Sequence, residues 1–126
     1  MQIPLSKPKY YYEEVEAVRD VLKSGWLTQG VKTIELEEKF AGYCNAKYTL
    51  AVNSGTAALH LALMAHGIGR GDEVIVPSIT FVATPNVAVM QNAIPVFAEV
   101  NPQTCSIDVD DARKRITKKT KAIIPV

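Results

Sequence analysis

The apolar and polar positions divide the chain into two regimes. From Tyr11 to Lys23 the apolar residues Val15, Val18, Val21 and Leu22 fall on one face of a helix, with Glu13, Glu14, Arg19 and Asp20 mostly elsewhere. Gly25 suits the stop, and Met1–Lys9, with Pro4 and Pro8, reads as an extended arm. The segment GWLTQG (Gly25–Gly30) is a loop with glycine at both ends. Thr33 is expected to cap a second helix that carries Leu36, Phe40 and Tyr43 at i, i+4 and i+7.

From Tyr48 the rhythm changes. Strand Tyr48–Val52 is expected to lead to helix Thr56–Ala65, strand Glu73–Val76 to helix Thr84–Gln91, and strand Ile94–Val100 to helix Val109–Ile116. A last strand follows at Lys121–Val126. Such β-α-β-α-β-α-β alternation with short connections predicts a three-layer α/β structure on a mainly parallel sheet. The runs EVIVP and AIIPV are continuously apolar, as strands covered on both faces are. A chain that stops at such a strand reads as the N-terminal part of something larger.

Chemistry in this layout belongs at the carboxyl ends of the strands. The stretch AVNSGTAALHLAL (Ala51–Leu63) turns from strand to helix there. Ser54 and Thr56 offer hydroxyls, Gly55 lets a ligand approach the backbone, and the helix start offers free N–H groups with a partial positive charge. Read locally, the turn is equally a capped helix start and an anion site. It has no Lys and no G-x-x-x-x-G-K-[ST], which excludes a Walker-type loop. The next strand-end loop, Pro77–Thr84, holds Phe81 among Ser and Thr, either stacking on a flat ligand beside Gly55 or plugging the core.

Other features read as structural. Gly67, Gly69 and Gly71 follow a helix and precede a strand, which is a helix C-cap and turn rather than a dinucleotide fingerprint. His60 lacks a nucleophile or carboxylate partner, and His66 lies at a helix end. Asp108, Asp110 and Asp111 precede a helix and suit capping and dipole pairing.

The 126 residues carry a net charge of +1, which argues against nucleic acid and an anionic membrane as partners. The basic cluster Arg113–Lys121 reads as a solvated helix end. Cys44 and Cys105 share no metal-ligand spacing, so no metal is expected, and two reduced thiols with no apolar signal core or span point to the cytoplasm.

Five segments in this order, GWLTQGVKTIELEEKFAGY, AVNSGTAALHLAL, GDEVIVPSITFVATPNVAV, PVFAEVNPQTCSIDV and ITKKTKAIIPV, closely resemble the N-terminal part of the DegT/DnrJ/EryC1/StrS family. These are pyridoxal-phosphate-dependent (PLP-dependent) sugar aminotransferases of the aspartate-aminotransferase fold, fold type I. The resemblance implies that residues 1–47 form an arm and two helices and that 48–126 begin the PLP-binding large domain. It implies that Ser54, Gly55, Thr56 and Ala57 bind the cofactor phosphate and that Phe81 stacks on the pyridine ring. Trp26 and Thr28 would lie near the nucleotide-sugar substrate of a full-length homodimer, and the amino donor would be glutamate or glutamine. The family's Schiff-base lysine and the aspartate that pairs with the pyridine nitrogen have no match here, so no catalytic residue is expected in this chain. The other reading is a non-catalytic α/β module that binds a phosphorylated small molecule or a partner protein.

Overall fold

The computed structural model describes Pro4 and residues 6–126, in two units, Met1–Ala51 and Val52–Val126. Part of the expected N-terminal arm lies outside the described residues. Pro4 and residues 6–11 carry no regular secondary structure.

In the first unit, α1 (Tyr12–Ser24) begins where Glu14 accepts a hydrogen bond from the Tyr11 N–H. It ends at Gly25, whose φ of 71° lets its N–H reach the Leu22 carbonyl at 3.3 Å. Helix α2 (Val31–Cys44) starts two residues before Thr33, the residue expected to cap it. Gly30 is the N-cap in extended conformation, and the Thr33 N–H is drawn into the first turn, donating to the Gly30 carbonyl at 3.0 Å. The helix stops at Asn45, which takes the left-handed conformation that asparagine tolerates (φ 51°). Neither helix has a buried residue.

The expected strand Tyr48–Val52 does not form. No other strand among the described residues pairs with it. Residues 48–51 are instead tied to α2: the Thr49 hydroxyl donates to the Glu37 carbonyl, and the Ala51 N–H donates to the Glu37 carboxylate at 2.8 Å. These bonds give the segment a local anchor in place of a strand partner.

The second unit runs α3 (Gly55–Ala65), β1 (Glu73–Pro77), α4 (Ala83–Met90), β2 (Ile94–Ala98), α5 (Val109–Lys114) and β3 (Thr120–Ile123). The sheet is parallel throughout, in the order β2-β1-β3, with Ile75 opposite Val96 on one side and Ile123 on the other. Alternation along β1 feeds two cores. Val74 and Val76 pack with Leu63 of α3 and with Val87 and Ala88 of α4. Ile75 points the other way, to Ala98 and Ala112 of α5. The continuous apolar run of β1 is thus buried on both faces, as expected. The run in β3 is not: its residues alternate between half-buried and exposed, and Ile123 is 46% exposed. Short α5 reaches Ala98 beneath β2 but leaves the face of β3 open.

The turns follow local chemistry. Past α3, Gly67 (φ 67°) reverses the chain, and the Ile68 N–H closes the turn on the Leu63 carbonyl at 3.1 Å. Pro85 sits in the first turn of α4, where its missing N–H costs no intrahelical bond. Strand β2 ends two residues before the expected Val100, which forms an antiparallel bridge with Ile107 instead.

Asp108 caps α5, its Oδ1 accepting from the N–H groups of Asp110 (2.9 Å) and Asp111 (3.1 Å). Asp111 accepts from Arg115 Nε at 2.6 Å and from the Glu99 N–H at 2.8 Å. The Arg115 hydrogen bond, then the Glu99 N–H, hold its carboxyl below the usual carboxylate range. A carboxyl lowered in the folded state stabilises fully above its unfolded value and loses that contribution as pH falls through the folded one. Between about pH 7 and about pH 3, a range that spans carboxylate titration, Asp111→Asn is therefore expected to lose less stability than the parent. Urea midpoints at both values check this, and equal losses would remove Asp111 from the acid response. Among the described residues, no helix is long and apolar enough to cross a membrane.

Candidate anion and aromatic site

The Ser54 turn and the Phe81 loop stand at one edge of the second unit. Residues 66–72 join the C-terminus of α3 to the first residue of β1, and residues 78–82 join the last residue of β1 to α4. An 11-residue helix is about 16 Å long and a five-residue strand about 17 Å. Running back over β1, α3 therefore carries Gly55 to the carboxyl end of that strand. Helix α4 begins at the same end and packs against α3. This is where parallel α/β sheets bind ligands.

Ser54 settles half of the local ambiguity. It is the N-cap of α3, in extended conformation, and its Oγ accepts from the Ala57 N–H at 3.1 Å. The Ala58 N–H turns inward to the Ser54 carbonyl at 3.1 Å. Capping thus uses the Ala57 donor. The N–H groups of Gly55 and Thr56 have no partner among the described residues. The Ser54 hydroxyl still has its proton to donate. The cap therefore leaves two backbone donors, the Ser54 and Thr56 hydroxyls and the positive end of α3 available at this turn, so capping does not exclude an anion.

Gly55 has no local conformational reason to be glycine. Its φ is not positive, and an added Cβ would meet nothing within 4 Å. The missing side chain leaves the backbone open to close approach at the residue that carries one of the free N–H groups. That opening, and the donor set around it, fit a phosphate.

Phe81 does not plug the core: it is 75% exposed. Its backbone is held by the Thr84 N–H, which donates to the Phe81 carbonyl at 3.0 Å. The hydroxyl of Thr80 donates to that of Thr84 at 2.8 Å. The one sequence signal for this pair is the density of Ser and Thr in Pro77–Thr84, which does not say which hydroxyls meet.

In the first unit, Trp26 and Thr28 line a cavity of about 240 Å³ together with Gly30, Asp20 and Lys32. The last two bring charged residues to the cavity lining, and the Lys32 ammonium is held by the Glu35 carboxylate at 2.9 Å. A Cβ on Gly30 would lie 3.0 Å from Cδ1 and Nε1 of Trp26. Gly30→Ala is therefore expected to push the indole away. The chain has one tryptophan, so its fluorescence reports the move directly. Red-shifted emission and easier acrylamide quenching are expected, and an unchanged spectrum would mean that the indole does not rest on Gly30.

His60 is half-buried within α3, and His66 is the C-cap residue, its N–H on the Ala62 carbonyl at 3.2 Å.

A family model for the DegT/DnrJ/EryC1/StrS aminotransferase family matches residues 8–126. The chain belongs to this family. Among solved structures it is similar to Spr1654 from Streptococcus pneumoniae, a protein assigned as a sugar aminotransferase. In the PMP form the identity is 42% and the TM-score 0.92, over 99% of this chain and 32% of that one. Its PLP form matches at 41% and 0.90, over 98% and 31%. An aminotransferase from Psychrobacter cryohalolentis matches at 38% identity and TM-score 0.84, over 97% of this chain and 32% of that one. 3-Amino-5-hydroxybenzoic acid synthase matches at 34% and 0.87, over 98% and 33%. The chain spans about a third of the length of these structures, and its parallel α/β architecture is that of fold-type I PLP-dependent aminotransferases.

Proposed function

We propose that this family member contributes the cofactor-phosphate part of a PLP-dependent aminotransferase, with residues 48–126 beginning its PLP-binding large domain. The observation that carries this reading is the start of α3, where the N–H groups of Gly55 and Thr56 have no partner among the described residues and nothing crowds Gly55 within 4 Å of an added Cβ. In it, Gly55 and Thr56 donate their N–H groups to the phosphate. Ser54 and Thr56 add hydroxyl donors, and Ala57 secures the cap that shapes the turn. Phe81, exposed at the same edge, offers a face to the pyridine ring. When bound, the cofactor supplies the electron sink for amino transfer.

The whole enzyme, in this reading, is a cytoplasmic homodimer. It moves an amino group from glutamate or glutamine to a nucleotide-linked keto-sugar, with Trp26 and Thr28 near the sugar nucleotide. The sugar-aminotransferase relatives support that substrate class. The benzoic acid synthase among the relatives is named for a product other than a sugar, so the keto-sugar part of the proposal rests on the sugar aminotransferases. No lysine of this chain takes the Schiff-base role, so the 126 residues alone are expected to be inactive.

Titration of the chain with pyridoxal phosphate tests the proposal. Saturable binding, competed by inorganic phosphate and without the absorbance band of a Schiff-base-linked cofactor, is expected. A Schiff-base band on the isolated chain would overturn the assignment of the lysines. Binding indifferent to phosphate would overturn the assignment of the turn.

A further inference from the structure

We infer that Thr80 and Thr84 are positioning residues, a hydroxyl latch that fixes the turn presenting Phe81. The inference rests on the stacking role proposed for Phe81. Three observations lead to it. First, Thr84 is 4% exposed, the one buried polar side chain among the described residues, and its hydroxyl meets that of Thr80 at 2.8 Å. Second, the start of α4 has no side-chain cap: Val82 is the N-cap residue, in helical conformation, and offers no acceptor. Third, Phe81 and its neighbour Val82 are both exposed, so apolar packing does not hold the turn.

Three bonds remain to do so, one of them from the Asn86 N–H to the Val82 carbonyl at 3.2 Å. The Thr84 N–H closes the turn on the Phe81 carbonyl, and the hydroxyl pair ties the residue before Phe81 to the residue three after it. A ring that stacks on a ligand needs a fixed backbone, because each alternative conformation lowers the occupancy of the competent one. The latch supplies that fixity from beneath the loop, where Thr84 is anchored in the core, and leaves the upper surface to the ring.

The test uses the 126-residue chain and four variants. Thr84→Val and Thr80→Val each remove the hydroxyl pair at nearly constant volume, Thr84→Ser keeps it, and Phe81→Ala removes the ring. Amide hydrogen exchange at Thr84 is expected to quicken about tenfold in both valine variants, the loss of a bond worth roughly 1.4 kcal/mol. It should stay at the parent rate in Thr84→Ser, with β1 amides unchanged throughout. Unchanged exchange at Thr84, or equal quickening in β1, overturns the latch.

The affinity for pyridoxal phosphate should weaken about three- to tenfold in the valine variants, the range of one neutral hydrogen bond, while that for inorganic phosphate holds. In the Phe81→Ala background Thr84→Val should add nothing. Equal weakening with and without the ring overturns a role through Phe81. If Phe81→Ala itself leaves pyridoxal phosphate binding unchanged, the stacking proposal fails, and the exchange result alone decides the latch.

Discussion

Gly55→Asp is expected to abolish phosphate-dependent binding while leaving the fold intact. The two halves of this outcome have separate causes. An added Cβ meets nothing within 4 Å and φ is not positive, so the backbone accepts a side chain. Position 55 is the first residue of α3, just past the Ser54 cap. A carboxylate there favours the helix dipole by about 0.3–1 kcal/mol, so the melting temperature should hold or rise slightly. The same carboxylate faces the incoming phosphate. Two like charges at about 4 Å repel by about 4 kcal/mol at a near-surface dielectric, and a loss of half that is already about thirtyfold. The side chain also takes up space at the residue that carries one of the free N–H groups. A loss of about a hundredfold in affinity for pyridoxal phosphate is therefore expected, with Gly55→Ala intermediate because a methyl fills space without charge. Titration and a thermal melt on the same sample read both. Unchanged affinity would show that the anion does not bind at this turn. A collapsed melt would show that Gly55 is structural.

Ile75→Ala is expected to be the most costly truncation on the α5 side of the sheet. Ile75 is fully buried at the centre of the central strand, against Ala98 and Ala112. The two buried neighbours are alanines with no side-chain length to give, and Val96 and Ile107 pack at the margin of the same cluster. Losing the buried carbons and leaving a cavity should cost about 3 kcal/mol, within the usual range for isoleucine to alanine. Ile123 provides the control. It lies opposite Ile75 on the neighbouring strand, on the same face, yet is 46% exposed. Ile123→Ala should cost under about 1 kcal/mol, because a half-exposed side chain loses less transfer energy and opens no closed cavity. Urea midpoints with unchanged slopes give both values. If the two truncations cost the same, the face of β3 is covered in solution.

The contrast between β1 and β3 also shows what the sequence disclosed. Apolar continuity identified both as strands, and rightly, but the covering of both faces is a property of neighbours. EVIVP has α3 and α4 on one side and α5 on the other; AIIPV lacks the second layer. The same reason explains Tyr48–Val52. Its composition is that of a strand, but pairing requires a partner, and its donors turn to Glu37 instead. Thr33 failed as a cap because Gly30 could start the helix earlier by backbone conformation alone.

The helices were legible to within a few residues because caps and periodicity are local: Ser54, Gly25, Gly67 and Asp108 each act through bonds to near neighbours. The site was legible in a different way. Local sequence could not decide between cap and anion cup at Ser54–Ala57, and the structure shows a cap that leaves two donors free. The order of the motifs along the chain, rather than any one of them, disclosed the family.

The strand order β2-β1-β3 has a consequence for synthesis. Glu73 and Thr120, opposite one another in the sheet, are 47 positions apart in sequence. At about 5–20 residues per second, β1 leaves the ribosome roughly 2–9 s before β3 can reach it. Once β2 has emerged, the most deeply buried of the described strands has β2 on one side and an open backbone edge on the other. The strand between β2 and β3 is therefore an exposed edge in the newborn chain, and the interval before β3 arrives is when a chaperone has most to offer it.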